Sequence, residues 1–304
     1  MDRILFGDNQ FFGVNHMSEE KARQQAMRFQ KIEAITDVLQ SALGAGVNGF
    51  MCTTHERIAE VAKIVRADPA NWQGFRFYPG MPYAHKYANA VTEHGYFEAL
   101  KQFLPSGGLI DAMMRGTKAV IGKDVEGIIT LLVDAEMKMF EGLETPVVFL
   151  QNVVTDLLLG LGYHDAFRVF AGHVAKRYNA EAGFITMNLP MLLPALERAG
   201  LKNPIVCANV NKIAFRMSGG IDGYRRAIEE RPARVIAMSV LASGGIPARE
   251  AIEWVVNEPY VESILFGASS RHNIEATVGL VEEYDAKKAA ALRAVPLQSG
   301  IAEL

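Results

Sequence analysis

Short apolar runs rich in Val, Ile and Phe recur along the chain at 4–7, 47–52, 74–78, 147–151, 183–188, 204–209, 234–239 and 263–266. Runs of this length read as strands buried on both faces, because a strand covered on both sides needs no alternation with polar residues. Between them, apolar positions return at helical spacing over 35–43, 164–177, 191–199, 223–230, 248–256 and 273–283, and Gly, Asn or Pro usually ends the stretch. Eight strands separated by helices predict a parallel α/β fold, and in 304 residues they fit a closed (β/α)8 TIM barrel better than an open sheet. No glycine-rich dinucleotide fingerprint follows the first strand, which removes a reason to prefer the doubly wound alternative. The whole chain, 1–304, is read as one domain.

One connection breaks the rhythm. Residues 80–146 separate the third and fourth strands, far more than a barrel connection needs, so the segment is expected to carry extra helices. Pro105-Ser106-Gly107-Gly108 would be a turn in its middle and 123–140 the helix returning to strand four. The insertion is expected to act as a lid, as a rigid decoration or as an oligomer contact.

Composition narrows the function classes. Half the residues are apolar, enough for one large core. The 31 basic and 34 acidic residues are spread along the chain, leaving a formal charge of −3 and no basic patch for nucleic acid. No export segment opens the sequence and no run is long enough to cross a bilayer, so a cytoplasmic protein with a small-molecule partner is expected. Pairing of copies through outer helices is compatible with such a barrel. Cys52 and Cys207 sit inside strand-like runs, where a buried thiol is the ordinary reading, and no Cys/His spacing suits a metal.

In a barrel of this kind the polar residues at the carboxyl ends of the strands converge on one mouth. Asp8, Asn9, Gln10 and His16 fall in the first loop, His55 after strand two, Tyr78 at strand three, and Gln151 and Asn152 after strand four. Asp8, His55 and Tyr78 are candidate acid–base groups, and Asn9, Gln10, His16, Gln151 and Asn152 candidate substrate contacts. Lys212, beyond strand six, is a candidate Schiff-base amine if the barrel desolvates it. Ser243-Gly244-Gly245 and Gly267-Ala268-Ser269-Ser270-Arg271 place amides, hydroxyls and a guanidinium after strands seven and eight, where barrels commonly hold phosphate. The simpler alternative there is a pair of turns, with Ser270 capping the last helix.

The segment Arg234-Val235-Ile236-Ala237-Met238-Ser239-Val240-Leu241-Ala242-Ser243-Gly244 resembles the strand-seven segment of the aldo-keto reductases. The helix at 248–256 and the run Ile264-Leu265-Phe266-Gly267-Ala268-Ser269-Ser270 are similar to that family's last helix-and-strand unit, and 45–50 to its entry into strand two. The resemblance implies an NADP-binding barrel. Ser239, Leu241, Ser243, Gly244, Gly267, Ser269 and Ser270 would lie against the cofactor, Asn188 and Asn209 would hold the nicotinamide amide, and Arg271 would suit a 2′-phosphate. The family's acid–base tetrad is not matched. Met51 replaces the strand-two aspartate, no tyrosine follows at the usual place, Tyr78 or Pro79 stands for the lysine and Gln151 for the histidine, while Thr277 replaces an asparagine that would touch adenine. Three classes therefore compete: an oxidoreductase on a small polar carbonyl or sugar-like substrate with His55, Tyr78 or Tyr83 as new proton donor; a cofactor-independent lyase, aldolase or isomerase on a phosphorylated or carboxylated molecule using Lys212, Asp8 and His55; and a non-catalytic ligand-binding barrel.

Overall fold

The structure is a computed structural model that describes residues 1–14, 18–83 and 118–294. Eight parallel strands form a closed barrel in chain order: β1 (Ile4–Gly7), β2 (Gly49–Thr53), β3 (Arg76–Met81), β4 (Val147–Leu150), β5 (Glu181–Thr186), β6 (Ile205–Asn209), β7 (Arg234–Met238) and β8 (Val261–Phe266), with β8 pairing back to β1. The helices are α1 (Glu19–Arg28), α2 (Ile32–Gly44), α3 (Glu56–Ala67), α4 (Lys118–Met137), α5 (Asn152–Leu161), α6 (Asp165–Tyr178), α7 (Leu189–Arg198), α8 (Gly220–Glu230), α9 (Ala248–Asn257) and α10 (Arg271–Ala294). No helix among the described residues is long and apolar enough to cross a membrane.

The strands are apolar throughout because both faces are covered. Leu5, Met51, Tyr78, Val147, Phe149, Ile205, Cys207 and Ile236 point into the barrel and pack on one another. Their chain neighbours Phe6, Phe50, Phe77, Val148, Val206 and Val235 point outward into the layer between sheet and helices. The interior is filled rather than hollow, and glycines make room for its rings. A Cβ at Gly183 would stand 2.2 Å from Phe149 Cε1, and one at Gly49 would stand 2.5 Å from Leu5 Cδ2.

Polar locks close the amino-terminal end. Tyr78 donates its hydroxyl to Asp2 Oδ2 at 2.6 Å, and Arg76 pairs with the same carboxylate. Arg3 reaches Asp285 through two bonds of 2.9 and 2.8 Å and so ties α10 to the start of β1. A cavity opens at the opposite end, where the loops after the strands gather.

The strand pattern differs from the sequence reading chiefly at the ends: β3 and β5 are displaced by a few residues, and β8 begins earlier. The helix expected over 123–140 is α4 followed by a 3-10 turn, Lys138–Phe140, and its Ile129, Leu132, Val133 and Met137 are buried. The turn expected at 105–108, and with it the lid, lies outside the described residues. Three helices went unmarked: α1, α3 and α5.

Candidate active site at the carboxyl ends of the strands

The first loop is built to hold one carboxyl group in place. Beyond β1 the chain makes a 3-10 turn, Asn9–Phe12, in which Phe11 N–H donates to Asp8 O at 2.9 Å and Gln10 Nε2 donates to Gly7 O at 2.7 Å. Phe11 is buried with its ring centroid 5.0 Å from that of Phe29 and 6.2 Å from that of Phe50, which anchors the turn. Gly13 then adopts a φ of +65° so closely against α1 that a Cβ would meet Ala22 O at 2.6 Å. Held by this turn, Asp8 is 6% exposed and its Oδ2 accepts from Thr53 N–H at 2.7 Å and Thr53 Oγ1 at 2.8 Å. Burial raises the Asp8 pKa above the ordinary carboxylate value, and the two bonds from Thr53 only partly oppose it.

Asp8 lies in the wall of a cavity of about 510 Å³ that occupies the mouth. Asn9, Gln10, Thr53, Gln151, Asn152 and Asn209 supply further polar groups, while Met51, Ile185, Met187, Met238 and Leu265 form an apolar floor. Ser239, Leu241, Ser243 and Gly244 of the loop after β7, and Gly267 after β8, line the same cavity. Of the expected tetrad positions, Met51 and Gln151 line this cavity, and neither side chain is titratable. Cys52 and Cys207 also reach the wall, but burial pushes both thiols up, away from the reactive thiolate.

Other expected site residues stand elsewhere. Tyr78 is the clearest correction: its ring lies inside the barrel and its hydroxyl bonds Asp2 at the amino-terminal end, where burial and Asp2 push its pKa up, so it is not a proton donor at the mouth. His55 caps α3, its Nδ1 accepting from Arg57 N–H at 3.1 Å and its ring stacked 4.3 Å from Phe12, outside the cavity wall. Burial and then the Arg57 charge lower its pKa, so the ring is held neutral with the proton on Nε2. Lys212 is half-exposed, pairs with Glu250 at 2.7 Å and does not line the cavity, the opposite of a desolvated amine. Asn188 caps α7 by accepting from Met191 N–H at 3.4 Å. Ser270 caps α10 through Asn273 N–H at 3.3 Å, and Arg271 pairs along that helix with Glu275 at 2.7 Å. Ser269 accepts from Gln25 Nε2 at 3.4 Å. His16 lies outside the described residues.

Two wall residues were not anticipated. Gln25 reaches the cavity from α1, a helix so polar that it offers no apolar stripe to read. Arg216 comes from the loop after β6, where no motif in the sequence marks it. Asn211 brackets Phe215, accepting from its N–H at 2.7 Å and donating to its carbonyl at 2.9 Å, while Asn209 donates to Arg216 O at 2.9 Å. Ala214, Arg216, Ser239, Ala242 and Ser243 all have left-handed φ, five of the seven such non-glycine residues described, and all five lie on the loops after β6 and β7. Side chains avoid this region, and residues held there concentrate at functional sites.

Comparison with solved structures shows which barrels this one resembles. A Pseudomonas aeruginosa protein assigned to the aldo-keto reductases superposes with a TM-score of 0.60 at 13% identity, over 93% of this chain and 90% of that one. The fold is that of the aldo-keto reductases. A Bombyx mori aldo-keto reductase in complex with NADP gives a TM-score of 0.56 at 9% identity over 94% and 88%, and an aldose reductase of Giardia lamblia 0.52 at 13% over 96% and 92%. No family model and no curated protein matches the sequence. The likeness is one of architecture, and Met51 and Gln151 in the cavity wall carry no titratable group.

Proposed function

We propose that the protein is a divergent NADP-linked oxidoreductase acting on a small polar carbonyl compound, with Asp8 in place of the missing proton donor. The observation that carries this reading is the single cavity lined both by Asp8 and by the loops after β7 and β8. Its volume of about 510 Å³ falls in the range of small-molecule sites. Those loops suit the cofactor: Gly244 is at φ +91° with no atom within 4 Å of where a Cβ would be, leaving backbone open to an approaching phosphate. Ser239, Ser243 and Gly244 would hold the pyrophosphate. Asn209 spends its NH2 on Arg216 O and Met187 Sδ, which turns its Oδ1 into the acceptor for a carboxamide. When bound, NADPH supplies the hydride.

The chain's own residues do the rest. Asp8, held protonated to higher pH than an ordinary aspartic acid, donates its proton to the carbonyl oxygen as the alcohol forms. The carboxylate left behind keeps the Thr53 N–H and Oγ1 bonds, so its charge is already solvated. Gln151 and Asn152 offer amide groups to the substrate's polar end, and the methionines with Ile185 and Leu265 keep water from the reacting carbon. The test is NADPH oxidation over a panel of small hydroxy-aldehydes and keto-acids by wild type and Asp8→Asn. Turnover by the wild type and a roughly 10²–10⁴-fold loss in the variant are expected. Equal rates would remove Asp8 from the chemistry, and no turnover on any substrate would count against a reductase.

A further inference from the structure

Among the described residues, Asp8 and Arg216 are the two side chains of acidic or basic type that line the cavity. Asp8 is solvated by Thr53, whereas the Arg216 guanidinium has no carboxylate partner among the described residues and rests near the Phe215 ring, 5.4 Å from its centroid. Several arginines elsewhere on the barrel behave differently: Arg3, Arg225, Arg231, Arg234, Arg249 and Arg271 each hold an acidic residue. A lone exposed arginine would mean little by itself. Here the backbone goes out of its way to present it, through left-handed φ values of +57° at Ala214 and +54° at Arg216 and three hydrogen bonds from Asn209 and Asn211 that hold the loop in that shape. Both asparagines are buried, so the loop is fixed from beneath rather than by the exposed side chain it carries.

We infer that Arg216 is the anion anchor of the substrate site and that the substrate is a carbonyl compound bearing a carboxylate or a phosphate group. A planar guanidinium makes two parallel bonds to either group, and an unpaired one at the rim of a partly apolar cavity both attracts and orients such a ligand. The anchor lies on the loop after β6 and Asp8 on the loop after β1, so a ligand held by its anionic end extends across the mouth toward the proton donor. The carbonyl part of this inference rests on the oxidoreductase reading; the anion part stands on the cavity alone.

Calorimetric titrations with sodium succinate and, separately, sodium phosphate at low ionic strength, without cofactor, test it on wild type, Arg216→Lys and Arg216→Asn. Asparagine tolerates left-handed φ, so Arg216→Asn removes the charge without disturbing the loop, and an unchanged melting temperature verifies this. At least one anion is expected to bind the wild type at a single site, tenfold or more weaker in Arg216→Asn and intermediate in Arg216→Lys. Preference for succinate identifies a carboxylate substrate and preference for phosphate a phosphorylated one. Binding of neither anion, or equal binding by Arg216→Asn, overturns the assignment, as does a variant that loses NADPH affinity while keeping anion affinity. Anion binding by a protein that fails to bind NADPH would leave the anchor standing and remove the oxidoreductase reading.

Discussion

Gly183 is where the barrel interior can be tested most sharply. A methyl group there would place Cβ 2.2, 2.3 and 2.9 Å from Phe149 Cε1, Cδ1 and Cζ, against an ordinary carbon contact of about 3.5–4.0 Å. The ring or strand β5 would have to yield by more than an ångström. Phe149 is fully buried and pairs in register with Gly183 across β4 and β5, so neither has open space to move into. Overpacking of this kind costs about 1–3 kcal/mol. In a domain of this size that lowers the melting temperature by roughly 2–4 °C per kcal/mol. Gly183→Ala should therefore melt several degrees below wild type, read by circular dichroism. Phe149→Leu should lose stability alone through the void it leaves, yet the double variant should recover part of the Gly183→Ala loss, since the smaller side chain frees the space the methyl needs. A Gly183→Ala protein as stable as wild type, or a double variant whose losses simply add, would refute the packing argument.

Three further outcomes follow from the site. Because the folded pKa of Asp8 is raised, the native state holds its proton more tightly than the unfolded chain, so this residue's contribution to stability falls as pH rises from the ordinary carboxylate value through the raised one. Asp8→Asn should accordingly gain stability over wild type as pH rises through that window, and a difference independent of pH, followed by denaturant unfolding, would contradict it. Tyr78→Phe removes a bond to a carboxylate at the amino-terminal end and should cost about 1–2 kcal/mol while leaving turnover unchanged; a collapse of turnover at wild-type stability would restore Tyr78 to the chemistry. Lys212→Met breaks only a half-exposed ion pair and should change stability by less than about 1 kcal/mol, and borohydride with a carbonyl substrate should leave the mass of the wild type unmodified.

The barrel was readable from the sequence because its signal is redundant: eight apolar runs must each be buried on both faces, and strands such as β1 and β7 begin where the pattern says. The missed helices failed for separate reasons. The helix α3 has a clear stripe of Ile58, Val61, Ala62 and Val65 but starts directly after β2, where His55 caps it with an atypical side chain. In α5 the apolar residues run all round, with Val153, Leu157 and Leu161 exposed, so no periodic face stands out. At the site, position along the chain located the mouth but not the direction of a side chain. Tyr78 points into the barrel but lies two residues below Gly80 of the mouth and its hydroxyl reaches the opposite end, whereas Asp8, Asn9, Gln10 and the loop after β7 lie at the mouth. Arg216 was invisible because its placement depends on two left-handed residues and a pair of buried asparagines that no spacing rule announces.

The central claim, that this barrel still uses a nicotinamide cofactor without the tetrad, is tested most directly by titrating the protein with NADPH in a calorimeter. One-to-one binding in the micromolar range, weakened when a bulky side chain replaces Gly244 in the loop after β7, is the predicted result. Absence of binding at millimolar cofactor, or binding indifferent to Gly244, would contradict it.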